Sequence, residues 1–153
     1  MSVNEKDAEL MQKAIALAKR AAELGEVPVG AIVVNNESGE IIAQAYNLRE
    51  TNRCATAHAE VLAIEEACRV LGSWRLSGCS LYVTLEPCPM CAGALINSRI
   101  DRVVYGASDP MAGCCGSVIS FNSYPFNHAF SLTGGVCADE CKELLKSFFE
   151  KKR

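Results

Sequence analysis

The chain has 153 residues, half of them hydrophobic, with 15 Lys and Arg against 18 Asp and Glu and a net charge of −3. This length fits one domain, 1–153, large enough to bury roughly two thirds of its unfolded surface, and no apolar run approaches the roughly 20 residues of a membrane span. The acidic balance excludes a global attraction to nucleic acid, so such a partner would need a local basic patch. The N-terminal stretch from Ser2 to Ala22 is charged on one face and apolar on the other, unlike a signal peptide. The chain is therefore read as soluble and cytoplasmic. Its nine cysteines are read as reduced thiols, since the count is odd and a domain of this size needs no disulfides for its core.

In chain order, Ser2-Val3-Asn4-Glu5 offers a capping box, Leu10, Met11, Ala14, Ile15, Leu17, Ala18, Ala21 and Ala22 recur at helical spacing, and Gly25 suits a C-terminal cap. Val29 to Val34 reads as a strand, turned by Asn35 to Glu40 into a second strand, Ile41 to Tyr46. Leu48 to Thr56 is an unpatterned loop. Ala57 to Leu71 is helical in composition and stopped by Gly72. Cys79 to Leu85 reads as a strand buried on both faces, Cys88 to Asn97 as a helix, and Arg102 to Tyr105 as a short strand. Gly106 to Pro125 is loop-rich with one helical turn, Phe130 to Val136 a weak strand, and Ala138 to Lys151 an amphipathic helix. Helices alternating with strands point to an α/β layer structure whose mixed sheet has an antiparallel hairpin and otherwise parallel strands.

Two short segments carry the chemistry. Cys88 and Cys91 stand three apart, a spacing that presents two thiolates on one helix face, and His58 supplies a third ligand. Three protein ligands leave the fourth corner of a zinc tetrahedron open to water, as in catalytic sites. His58 and Glu60, two apart, would diverge on a helix flank. They serve one centre only if it lies off the helix end, so the expectation is two helix starts facing each other across one zinc. With two thiolates and a neutral imidazole the ion is formally uncharged and a weak Lewis acid, so Glu60 would help move the protons of the water. That chemistry suits hydrolytic deamination of an aromatic amidine.

The H-x-E…P-C-x-x-C pattern of His58, Glu60, Pro87, Cys88 and Cys91 is the signature of zinc nucleobase deaminases. Val27-Pro28-Val29-Gly30-Ala31, Thr56-Ala57-His58-Ala59-Glu60, the run from Leu81 to Ala94 through Glu86-Pro87-Cys88-Pro89-Met90-Cys91, and Ser98-Arg99-Ile100 resemble the bacterial tRNA-specific adenosine deaminases, within the cytidine/deoxycytidylate deaminase superfamily. The resemblance runs nearly end to end. It implies a cytidine-deaminase-like three-layer α/β/α fold with a five-stranded mixed sheet, a homodimer, zinc as cofactor, and conversion of the wobble adenosine of a tRNA anticodon loop to inosine. By the same resemblance His58, Cys88 and Cys91 bind zinc, Glu60 shuttles protons, Asn47 hydrogen-bonds the base, and Val29, Ala59 and Leu85 shape the pocket. Asn127 and His128 match a motif near the anticodon loop. Departures fall in loops: Cys54-Ala55-Thr56 stands where relatives read Asp-Pro-Thr, and Met111 to Ser117 carries Cys114-Cys115.

Other readings attach to the same residues. A structural zinc could be closed by a fourth cysteine, Cys54 or Cys114, and the acidic chain with altered loops keeps open a deaminase of a free purine or pyrimidine base or nucleoside. Glu86 reads as structural at a strand–helix junction, and Cys68, Cys79, Cys137 and Cys141 as small core residues. Lys142, Lys146, Lys151, Lys152 and Arg153 beside Phe148 and Phe149 form the best basic-aromatic patch for RNA.

Overall fold

The apolar strand segments point alternate side chains to two faces, and each face needs a helical cover. The computed structural model describes residues 3–152. In it β1 (Gly30–Asn35) and β2 (Ile41–Tyr46) form the antiparallel hairpin. β3 (Cys79–Leu85), β4 (Arg102–Ala107) and β5 (Ser131–Thr133) run parallel to one another, giving a five-stranded sheet of order β2-β1-β3-β4-β5. Helices α1 (Val3–Glu23) and α4 (Ala138–Lys151) cover one face, and α2 (Ala59–Leu71) and α3 (Pro89–Asn97) the other. This is the expected three-layer fold. Ala31, Val33, Leu81, Val83 and Val103 enter the core under α2 and α3, while Ile32, Val34, Tyr82 and Val104 enter the one under α1 and α4. The period of two thus assigns each strand residue to a layer.

Several details depart from the sequence reading. The hairpin meets the rest of the sheet through an antiparallel pair, β1 with β3. The cause is α2, which carries the chain back across the sheet so that β3 runs in the direction of β2 and against β1 between them. α2 and α3 begin after His58 and Cys88, which stand as extended N-caps. Pro89 occupies the first turn of α3. β4 extends to Ala107, and the weak strand shrinks to the three residues that find partners on β4. The helical turn in the long loop is a short 3₁₀ segment, Phe121–Ser123. Ser2 of the expected capping box lies outside the described residues.

The layers are joined at two close points. A side chain at Gly30 would collide with the Ala14 carbonyl and Ala18 amide of α1, so glycine lets the helix sit directly on β1. Elsewhere buried Asp7 of α1 accepts hydrogen bonds from Tyr82 Oη (2.7 Å) and from Arg102 Nη1 and Nη2 (2.9 and 2.7 Å), linking the helix to β3 and β4. Burial pushes the Asp7 carboxyl up, but the hydrogen bonds from Arg102 and Tyr82 and the Arg102 charge outweigh it and hold the group below its ordinary 3.8. A depressed carboxylate contributes stability above its ordinary pKa and loses that contribution as pH falls through its folded value. Asp7→Asn is expected to cost about 2–4 kcal/mol at pH 7, because it leaves Arg102 without its partner. Urea titrations at decreasing pH should show the gap between parent and variant closing below about pH 4.

Candidate active site

The ends of β2 and β3 lead into the starts of α2 and α3, and the site is built from those two junctions. His58 is the N-cap of α2, with φ −75° and ψ 151°, and Cys88 the N-cap of α3, with φ −76° and ψ 175°. Neither side chain caps its own helix. They turn toward each other: His58 Nδ1 lies 3.7 Å from Cys88 Sγ and 3.6 Å from Cys91 Sγ, which sits one turn into α3 and is buried. Ligand atoms of the three residues all lie within 4.8 Å of one another. Zinc–sulfur bonds of about 2.3 Å and a zinc–nitrogen bond of about 2.0–2.1 Å in a tetrahedron require edges of about 3.5–3.8 Å, so the two nitrogen–sulfur separations fit one zinc ion. Among the described residues no fourth His, Cys, Asp or Glu joins this cluster. Cys54 is exposed, and Cys114, though buried in the neighbouring loop, is not part of it. Three donors and an open position match a catalytic site rather than a closed structural one.

The local electrostatics are those of a metal-ready pocket. The Cys91 thiol hydrogen-bonds the Cys88 sulfur and, with His58, holds the Cys88 thiol well below its ordinary range, which favours the thiolate that a metal needs. The same contact, together with burial, pushes the Cys91 thiol up, and the hydrogen bond to Cys88 raises His58. Glu60, in the first turn of α2, is 4% exposed. Burial pushes its carboxyl up to about 7, in the range suited to a group that both takes and returns protons.

These groups lie on a cavity of about 550 Å³. Val27, Val29, Asn47, Ala59 and Leu85 join His58, Glu60 and Cys88 in its lining. Asn47 Nδ2 donates to the Val27 carbonyl (3.2 Å) and Oδ1 accepts from the Arg49 amide (3.1 Å), which fixes the amide and leaves a second N–H and a second lone pair. Buried Glu26 accepts hydrogen bonds from the backbone of Glu50 and Thr51 and from the Thr51 hydroxyl, holding the loop that presents Arg49. Residues 108–112 form another wall, and Lys142, Leu145, Lys146 and Phe149 border the cavity from α4.

Of the residues singled out in the sequence, Val29, Asn47, Ala59, Leu85 and Phe149 therefore come together with the ligand cluster and Glu60. Asn127 and His128 do not line this cavity. His128 Nε2 stands 2.7 Å from the Ile100 carbonyl, joining its loop to the start of β4. Sequence reasoning missed Val27, Arg49 and residues 108–110, which sit in segments without periodicity, while Met111 and Ala112 belong to the departing loop it expected near the RNA. The signal for Lys142 and Lys146 was present in the basic cluster of the last helix. Glu86 is buried in the 108–117 loop, where hydrogen bonds from Ser117 and from the Asp109, Ser117 and Cys115 amides outweigh burial and hold its carboxyl below the usual range.

An open His-Cys-Cys cluster at two facing helix starts, with a buried glutamate beside it on a three-layer sheet, defines a zinc-dependent deaminase. Residues 4–107 match the family model for the cytidine and deoxycytidylate deaminase zinc-binding region. The tRNA-specific adenosine deaminase of Bacillus subtilis is 54% identical over 144 residues, covering 94% of this chain and 88% of that protein. A solved tRNA:A34 deaminase, from a study of A-to-I editing at the wobble position, superposes with a TM-score of 0.85 at 43% identity, over 88% of this chain and 97% of its own. A guanine deaminase from Nitrosomonas europaea has a TM-score of 0.76 at 27% identity, over 90% of this chain and 81% of its own. The chain belongs to the cytidine and deoxycytidylate deaminase family, and within it to the tRNA-specific adenosine deaminases.

The three-ligand geometry predicts one zinc per chain. Cys88→Ser should weaken zinc binding by more than about a hundredfold, beyond the 10–100-fold typical of residues behind the ligands, while Cys114→Ser should keep a full equivalent. Metal content after dialysis against a graded chelator series measures both.

Proposed function

We propose that this protein, as one deaminase domain spanning 1–153, converts the wobble adenosine of a tRNA anticodon loop to inosine in the cytoplasm. The observation that carries this reading is that His58, Cys88 and Glu60, with buried Cys91 behind them in the ligand cluster, line a nucleoside-sized cavity whose border carries Arg49, Lys142 and Lys146. The net charge of −3 gives no general attraction to RNA, so these cations supply the local patch that phosphate binding needs. An anticodon loop presents its base nearly unstacked, which lowers the extrusion cost of a few kcal/mol that a duplex would impose.

His58, Cys88 and Cys91 would hold the zinc, which when bound would supply Lewis acidity toward a water molecule. Glu60 would take the first proton of the water and pass it to the purine ring nitrogen as the water oxygen adds to the amino-bearing carbon. It would then carry the remaining hydroxyl proton to the amino group as the C–N bond breaks and ammonia leaves. Burial of Glu60 raises its affinity for a proton, which suits a group that must both take and return one. Asn47, locked by Val27 and Arg49, offers its remaining donor and acceptor to the base. Val29, the backbone at Ala59, and Leu85 enclose the ring and exclude bulk water. Phe149 provides an aromatic face beside Lys146 for a neighbouring nucleotide, and Asn127 and His128 would meet the RNA outside the cavity.

Incubation of the zinc-loaded protein with an anticodon stem-loop bearing a wobble adenosine should yield inosine, and no inosine would overturn the reading. Glu60→Gln should lower kcat by about 10²–10⁴-fold while retaining zinc. Lys142→Ala with Lys146→Ala should raise KM about tenfold and flatten its salt dependence, as expected for lost phosphate contacts.

A second reading has one specific support: the fold is shared with a purine-base deaminase at a TM-score of 0.76. Turnover of free guanine or adenosine without turnover of the stem-loop would select it.

We also propose a homodimer. Val118, Ile119, Tyr124 and Phe126 are 40–53% exposed along one segment, and the Phe121, Tyr124 and Phe126 rings touch. Such an apolar stretch suits a protein partner. Light scattering should give twice the chain mass, and Tyr124→Glu with Phe126→Glu should halve it.

A further inference from the structure

Five consecutive cavity-lining residues, Ser108 to Ala112, belong to a loop with no regular secondary structure. Asp109 Oδ1 shapes it locally by accepting the Met111 and Ala112 amides (3.0 and 3.2 Å), and one buried side chain ties it to the strand–helix junction. Glu86 is 1% exposed and lies between β3 and the ligand Cys88. Its Oε1 accepts the Asp109 amide (3.0 Å) and the Ser117 hydroxyl, and its Oε2 accepts the Cys115 (2.9 Å) and Ser117 (3.0 Å) amides. Both oxygens are thus saturated from the two ends of the loop. The middle is fitted to the same group: a Cβ at Gly113 would fall on the Glu86 carboxylate. The backbone repeats the tie, with the Glu86 amide donating to Ala107 and the Cys114 amide to Pro87, both at 2.9 Å.

We propose that Glu86 is a positioning residue, which fixes the 108–117 loop as a substrate-facing wall in constant register with the zinc ligands. The inference rests on the deaminase reading for what the wall contacts, though not for the bracing itself. The residue two positions before Cys88 carries the loop, so any shift of that wall relative to α3 must break these bonds. Glutamine does not replace it fully: its NH2 would face either the Cys115 and Ser117 amides or, turned over, the Asp109 amide, leaving at least one N–H without an acceptor. Displacing a substrate wall without touching the ligands weakens binding more than it slows chemistry.

The test uses the zinc-loaded full chain and its variants Glu86→Gln and Ser117→Ala, the second removing one bond of the four so that a folded variant is available. Hydrogen exchange should show protection lost at Asp109, Cys115 and Ser117 in Glu86→Gln and retained through α3. Zinc content should stay at one per chain. With the anticodon stem-loop, KM should rise at least about tenfold in Glu86→Gln and about threefold in Ser117→Ala, with kcat within about threefold of the parent. Unchanged exchange in the loop, or a loosened loop with unchanged KM, overturns the proposal. A general loss of fold stability would lower exchange protection everywhere and leave KM unmoved in the surviving folded fraction. If the parent itself makes no inosine, the tRNA reading fails instead, and the exchange pattern alone decides whether Glu86 braces the loop.

Discussion

A histidine and a cysteine occupy the N-caps of two helices without capping either. Serine, threonine, aspartate or asparagine at such positions would stabilise a helix by about 1 kcal/mol, and this chain forgoes that at both α2 and α3. The extended N-cap conformation instead turns each side chain off the helix end, the direction in which two helices standing side by side can share one ion. Glu60 follows from the same constraint, since residue 58 must leave the helix axis before residue 60 can enter the cavity from the first turn. The sheet supplies the alignment. β2 and β3 run in the same direction on either side of β1, so both helix starts emerge at one edge.

Around that edge the chain uses buried carboxylates in contrasting ways. Glu60 finds little compensation for its burial and rises to about 7. Glu26 and Glu86, also shielded from solvent but less deeply embedded, accept several hydrogen bonds each, and both are held below the usual carboxylate range. The difference combines depth of burial with partner supply. A carboxylate surrounded by amides stays charged and organises a loop, whereas one with few donors becomes a proton carrier. The acidic chain and its cationic cavity border are compatible for a similar reason, since Arg49, Lys142 and Lys146 act at short range and bulk charge is screened beyond about a Debye length.

Much of this was legible in the residues. Periodicity located the helices and the central strands because burial on one or two faces is a local pattern, and the His58, Glu60, Cys88 and Cys91 spacing implied an ion off two helix ends. The failures have a common origin in distant partners. Ala57-His58 looks helical by composition, yet its extended geometry brings His58 to cysteines 30 and 33 positions away. The strand expected from Phe130 to Val136 survives only where β4 offers a partner. The 108–112 wall has no periodic pattern, because it is a turn closed on Asp109 and anchored to a glutamate 23 positions before it.

His58 and Cys88 are 30 positions apart, and the chain between them contains the whole of α2 and β3. An ion shared by the two would also be a clasp, closing that span into a ring. By chain-entropy reasoning a covalent bridge over a ring of this size restricts the unfolded chain by about 3–4 kcal/mol, and a tightly held metal acts in the same sense. Loading with zinc would then stabilise the folded chain as well as equip the site.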